Sequence, residues 1–246
     1  MRLPDPFFAR GDHLAIDLPG ARALFTTRRG GCSRGPYASL NLGRWTADQP
    51  AAVERNRSGI ARDLGVRFVY GRQVHGAHVI RLTAAPAVDP ARPDEADGQA
   101  TTVSGLAPLV LTADCLPVAL AGDGAVAMLH AGWRGLAAGV LAEGVAALRE
   151  LGATGRLSAA IGPGAGACCY AVSDDVRYAF AGYGEPARNG RNLDLKAVAR
   201  IQLQRAGVSS VYDSELCTIC SDRALFFSHR RDSGITGRQA GIAWLT

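Results

Sequence analysis

Two short apolar runs flank Asp123-Gly124 in LTADCLPVALAGDGAVAMLHAGWRG, residues 111–135, with Cys115 near one end and His130 near the other. A thiolate and an imidazole are ligands that zinc takes together, and they are also the two halves of a thiol–imidazole catalytic pair. Asp-Gly between apolar runs predicts a two-residue hairpin turn. Gly122 then faces Ala125 and Pro117 faces His130. Cys115 becomes the diagonal neighbour of His130 on the same face, their backbones about 7–8 Å apart. A three-residue loop would send the two side chains to opposite faces. The glycines of HAGWRG let the chain turn closely, and Trp133-Arg134 opens a helix whose N-terminus, with Arg134, attracts anions.

A catalytic zinc site needs a third protein ligand and leaves one position for water. Five histidines are available: His13, His75, His78, His130 and His229. His75, in GRQVHGAHV, lies in a Gly-flanked turn between two strand candidates and can project into a cleft, whereas His78 already belongs to a strand. The expected metal-binding and catalytic trio is therefore His75, Cys115 and His130. Asp114 points to the opposite face of a regular strand and is a weak candidate for a general acid. The remaining cysteines fall into Cys32, the adjacent Cys168 and Cys169, and Cys217-x-x-Cys220. CTIC alone is half a structural zinc site, which Cys168-Cys169 would complete, and free buried thiols are the competing reading.

The elements that must position these residues are read from periodicity. Strands are expected at 23–27, 67–70, 78–82, 109–112, 117–121, 125–130, 157–161, 211–212, 225–227 and 242–245. Helices are expected over 50–64 and over 133–151. The second carries Leu136, Val140, Leu141, Val145, Leu148 and Leu151 on one stripe. Two more helices are expected, one after Ser173 as N-cap and one from about Asp194 to Gly207. The stretch 84–98, rich in proline and acids, reads as a surface loop. Strands outnumber helices without alternating with them, so the expected class is a single α+β domain over 1–246.

The chain of 246 residues is 48% hydrophobic and 20% charged, which fits a soluble globular enzyme. No run is long enough to span a membrane, and the N-terminus lacks a secretory h-region, so the expected location is the cytoplasm. The net charge of +5 comes from one lysine, Lys196, and 26 scattered arginines. Without a basic run or interleaved aromatics this does not read as a nucleic-acid surface. Arginine's planar fork does suit phosphate or carboxylate.

The motifs TTRRGGCSRGPYASLNLG, RQVHGAHV, LTADCLPVAL, HAGWRG, IGPGAGACCYAV and FFSHRRDSGITGRQAGIAWL together resemble the laccase-domain family, also called multicopper polyphenol oxidase or YfiH-type proteins. The resemblance implies zinc held by His75, Cys115 and His130. It implies a mixed β-sheet sandwich flanked by helices, distantly like cysteine hydrolases of the cytotoxic-necrotising-factor type. It also implies purine nucleoside chemistry: phosphorolysis of adenosine, inosine and methylthioadenosine, with deamination of adenosine. Two alternatives stay open. One is an amide hydrolase acting on a peptidoglycan precursor (a UDP-muramyl-amino acid), and the other is a non-catalytic metal-binding protein. The small-molecule partners expected are a purine nucleoside and phosphate, for a monomer or small homo-oligomer. A multicopper oxidase needs more imidazoles than five, so laccase chemistry is not expected, and Cu2+ is expected only as a substitute for Zn2+. Candidates for a phosphate clamp are Arg28 or Arg29, Arg57, Arg134 and Arg231, with Asn41 on the ribose or base.

Overall fold

A computed structural model describes residues 3–86 and 93–246. The chain opens with β1 (Phe8–Arg10), β2 (His13–Leu18), β3 (Ala21–Phe25), α1 (Pro50–Leu64), β4 (Arg67–Val69), β5 (Val79–Leu82) and β6 (Gly98–Thr101). It continues through β7 (Leu106–Thr112), β8 (Leu116–Gly122), β9 (Ala125–Ala131), α2 (Trp133–Ala138), α3 (Val140–Glu150) and β10 (Leu157–Ile161). It ends with α4 (Asp174–Ala179), the short pair β11 (Arg188–Asn189) and β12 (Asn192–Leu193), α5 (Leu195–Arg205), β13 (Val208–Asp213) and β14 (Gln239–Leu245).

Two six-stranded mixed sheets form, in the orders β1-β2-β3-β14-β7-β4 and β13-β10-β8-β9-β6-β5. They pack face to face: Ile16, Phe25 and Val110 of the first meet Ala119, Val126 and Met128 of the second in one core. On the outer face of the second sheet, Leu120, Leu129 and Ile161 pack against Leu141, Leu148 and Leu203 of α3 and α5. On the outer face of the first, Leu24, Leu109 and Ile242 pack with Ile60 of α1. The result is a mixed α+β sandwich flanked by helices. Strands β8 and β9 are buried along their whole length, which is why they read as continuous apolar runs rather than alternating ones. Each fully buried leucine there stabilises the fold by about 1.5–3 kcal/mol.

The hairpin has the expected register: Gly122 pairs with Ala125 and Pro117 with His130. Gly124, at φ 69°, supplies the left-handed turn residue. Elsewhere the expectations needed correction. The single helix over 133–151 is two helices, because Gly139 at φ 88° caps α2 in the left-handed conformation and α3 starts from it. Residues 225–227 are not a strand. Leu225 closes a turn onto Asp222, and Phe227 pairs its backbone N–H and C=O with the side-chain amide of Gln239, which stands in for a neighbouring strand. Ser173 takes an extended N-cap conformation without a side-chain capping bond, whereas Asp194 accepts from the backbone amides of Lys196 and Ala197 and caps α5. Strands β1, β2 and β6 and the short pair β11 and β12 have no counterpart among the strands expected from the sequence. Part of the stretch expected as a surface loop, residues 87–92, lies outside the described residues; from Asp97 onward that stretch turns inward to start β6. Among the described residues no helix is long and apolar enough to cross a membrane.

Candidate metal centre

Cys115 occupies a bend between β7 and β8, just outside the hairpin ladder, and His130 sits near the end of β9. The bend is made by Asp114 at φ 94°, a conformation that costs energy for a non-glycine residue. Two hydrogen bonds hold it: Asp114 accepts from the Thr218 hydroxyl (2.7 Å) and from the Arg230 backbone N–H (2.7 Å). With both oxygens engaged, Asp114 is an anchor for the Cys115 bend.

His75 reaches the same point from the turn before β5. Its ring lies edge-on to that of His130, with centroids 4.9 Å apart, and its Nε2 is 3.9 Å from Cys115 Sγ. The ligand atoms of His75, Cys115 and His130 lie within 4.8 Å of one another. His75 itself is at φ 61°. The cause is Asp97, which is 0% exposed and whose carboxylate accepts from the backbone N–H groups of Val74 (3.1 Å), His75 (3.0 Å) and Gly76 (2.7 Å). The same carboxylate binds His130 Nδ1 at 2.7 Å. One buried aspartate thus orients both imidazoles. By taking the Nδ1–H of His130 it leaves Nε2 as the ligand nitrogen, the arrangement that metal-binding histidines require.

The glycine of HAGW has a steric reason. A Cβ on Gly132 would stand 2.9 Å from Cys115 Sγ and 3.2 Å from His75 Cδ2. Electrostatics favour a thiolate beside an imidazolium when no cation is bound. Burial pushes the Cys115 thiol up, but the charge and hydrogen bond of His130 and the contact with His75 outweigh it and bring it down. Burial lowers His130, and the Cys115 charge and the Asp97 hydrogen bond outweigh that and raise it. Asp97, which burial alone would raise, is held below the usual carboxylate range by His130 and the amides of Gly76 and Val74. A soft thiolate and two imidazoles clustered this closely fit a tetrahedral zinc-type ion, around which ligand atoms stand about 3.5 Å apart. His75 is exposed, so the fourth corner opens to solvent.

A cavity of about 420 Å³ lies over the three ligands. Its walls carry Arg134, Arg230 and Arg238 and the aromatic side chains of Trp45, Trp133 and Tyr170. Arg134 stacks on Trp133 (4.4 Å to the centroid) and Arg230 on Tyr170 (5.2 Å). Thr112 Oγ1, also in the lining, is buried without a hydrogen-bond partner.

Of the residues expected to hold phosphate or nucleoside, the structure brings only Arg134 to this cavity. Arg231 is engaged by Asp232 and by the carbonyls of Thr218 and Phe226. Its neighbour Arg230 faces the cavity instead, an alternative that SHRRDSG leaves ambiguous by one position. Arg28 donates to the Ala38 and Arg223 carbonyls and stacks on Phe227. Arg29 binds the Ala224 carbonyl and Asp222. Arg57 is buried on α1, donates to the Leu42 carbonyl and stacks on Tyr70. Asn41 is buried; its amide donates to Thr46 and Asp48, and its oxygen accepts from the backbone of Gly43 and Arg238. It reaches the cavity only through the placement of Arg238. Asp97 was hidden among acids that read as solvated, and the one available signal was its position at the start of an uncharged strand. Arg238 stands in TGRQAG, and a lone arginine at a strand edge carries no signal of direction.

Comparison with known proteins places these features in context. Residues 22–246 match the family described as multi-copper polyphenol oxidoreductase laccase. The chain is 45% identical over 250 residues to a protein of Xylella fastidiosa named purine nucleoside phosphorylase, covering 92% of this chain and 93% of that one. It is 43% identical to a Streptomyces coelicolor protein of the same name, covering 92% and 96%. Among solved structures, YlmD from Geobacillus stearothermophilus superposes with a TM-score of 0.88 at 39% identity, covering 98% of this chain and 99% of that one. A Neisseria meningitidis protein gives 0.84 at 38%, covering 96% and 99%.

Proposed function

The chain belongs to the multi-copper polyphenol oxidoreductase laccase family, and from its cavity we propose that residues 1–246 act as one metal-dependent enzyme that cleaves purine nucleosides with phosphate. The observation that carries this reading is the meeting, in one cavity, of a three-ligand metal group with three arginines and three aromatic faces. The names of the Xylella and Streptomyces relatives point the same way.

Phosphorolysis forms a bond from a phosphate oxygen to the anomeric carbon of the ribose and breaks the bond to the purine nitrogen, which leaves with the electron pair. Arg134, Arg230 and Arg238 suit a phosphate dianion, because guanidinium forks bind its oxygens in pairs and hold it against the sugar. Trp45, exposed at the cavity wall, offers a flat face for the purine, while Trp133 and Tyr170 carry the stacked Arg134 and Arg230. Asp97 keeps His130 protonated at Nδ1 and so holds Nε2 toward the cavity. Zinc is the metal the donor set favours, with Cu2+ able to replace it; either supplies Lewis-acid polarisation of a substrate atom when bound.

One observation favours a second reading. Cys115, His130 and Asp97 follow the nucleophile–base–orienter order of a cysteine hydrolase, which would suit an amide bond in a UDP-muramyl-amino acid. Zinc-loaded protein incubated with phosphate and adenosine, inosine or methylthioadenosine separates the two. Free purine base with the sugar 1-phosphate is expected, lost in Cys115→Ala with the fold intact. Cleavage of a UDP-muramyl-serine precursor alone would install the hydrolase instead, and no turnover of either would leave only metal binding. Inosine appearing from adenosine without phosphate would read the deamination that the family resemblance implies.

A further inference from the structure

Two loops bring four further sulfurs together. Cys168 and Cys169 lie in a turn after β10, Cys217 and Cys220 in a turn after β13, and their four Sγ atoms lie within 4.8 Å of one another. Four thiolates around a tetrahedral zinc, at Zn–S about 2.3 Å, stand about 3.8 Å apart. Cys168 Sγ and Cys220 Sγ are 3.4 Å apart, far beyond a disulfide bond of about 2.05 Å.

The backbone is built for this meeting. Gly164 bridges Cys217 in parallel, and the Thr218 N–H donates to the Gly164 carbonyl at 3.0 Å, pinning one loop to the other. Cys217 Sγ accepts the Gly166 N–H at 3.3 Å, and the amides of Ile219 and Cys220 also face it. A Cβ on Gly166 would lie 3.1 Å from Cys217 Cβ and 3.2 Å from Cys168 Sγ, so that glycine keeps space beside the cluster. An adjacent pair and a C-x-x-C on two pinned loops supply four protein ligands, the closed set of a structural site rather than the open set of a catalytic one.

We propose that Cys168, Cys169, Cys217 and Cys220 form a second, structural zinc site with all-thiolate coordination. An ion there staples two walls of the cavity. Tyr170 follows Cys169 directly, and Thr218, inside the C-x-x-C turn, donates to the Asp114 that shapes the Cys115 bend.

The test separates this site from the histidine-containing one. His75→Ala/His130→Ala removes two ligands of the cavity group and leaves the four cysteines. After growth with zinc and dialysis, that protein is expected to retain one zinc per chain with only sulfur around it by X-ray absorption. Changing Cys217 and Cys220 to serine in the same background should remove that zinc while the circular dichroism spectrum persists. Zinc that survives those serines would overturn the proposal, as would zinc-free protein in which all six thiols react after denaturation. A denatured thiol count below six would also overturn it and assign Cys168 and Cys220 to a disulfide. If the double-histidine variant does not fold, the wild-type chain decides: two zincs with sulfur outnumbering nitrogen support the site, and one zinc with two nitrogens and one sulfur rejects it.

Discussion

Burying a carboxylate costs several kcal/mol unless donors replace its water. Asp97 meets that cost with three backbone amides and the His130 ring. Removing it would free the His75 turn from its left-handed conformation and the His130 ring from its tautomer. Asp97→Ala is therefore expected to weaken metal binding about 10–100-fold, the usual effect of losing such a partner, measured by competition with a chromophoric chelator. An unchanged affinity would show that the two imidazoles hold their geometry without it. Asp97 was not legible as a buried group in the sequence, where it stands three residues from Asp94 in an acidic stretch that reads as solvated. Burial is a property of what packs around a residue, and the packing comes from strands β5, β6 and β9.

At the scale of elements, the hairpin register was legible because Asp-Gly and two apolar runs leave few alternatives. Helix α1 was equally plain, opened by Pro50 and closed by Gly65 at φ 67°. The break at Gly139 was not, because the apolar stripe of Leu136, Val140 and Leu141 continues through it. Gly144 shows how tightly α3 seats on the sheet: a Cβ there would stand 2.3 Å from Leu129 Cδ1 and 3.1 Å from Leu120 Cδ1. In a solvent-exposed helix Gly→Ala would stabilise. Here Gly144→Ala is expected to destabilise by about 1–3 kcal/mol through overpacking, read from the midpoint of urea unfolding. A rise in the midpoint would mean that α3 shifts outward at no cost.

For the whole molecule, the histidine count limits the redox chemistry. Two of the five histidines meet, with one cysteine, and among the described residues the other cluster of metal-type ligands contains cysteines alone. His13 Nδ1 faces the Thr27 amide, and His229 lines the cavity wall outside that trio. Copper-loaded protein is accordingly expected not to couple phenol oxidation to four-electron reduction of oxygen, because among the described residues no second group of imidazoles exists to bind a trinuclear cluster. Oxygen uptake with a phenolic substrate measures this, and a steady rate lost in Cys115→Ala would contradict it.

By itself the sequence determined the class of fold and the register of the hairpin that leads from Cys115 to His130; for the third ligand it gave a preference for His75, on its Gly-flanked turn, over His78. Those follow from local periodicity, turn chemistry and ligand type, all of which act over a few residues. Tertiary structure alone decided which charges face the cavity. Arg134, Arg230 and Arg238 are held at its wall, Arg230 by the Ala171 carbonyl and Arg238 by those of Thr236 and Gly237, while Arg28, Arg57 and Arg231 are held by carbonyls elsewhere. An arginine's direction depends on the few polar partners within reach, and those partners come from residues as distant in sequence as Arg28 and Arg223. The meeting of Cys168-Cys169 with Cys217-x-x-Cys220 has the same origin, since two parallel neighbours in one sheet, β10 and β13, carry their following loops to the same edge.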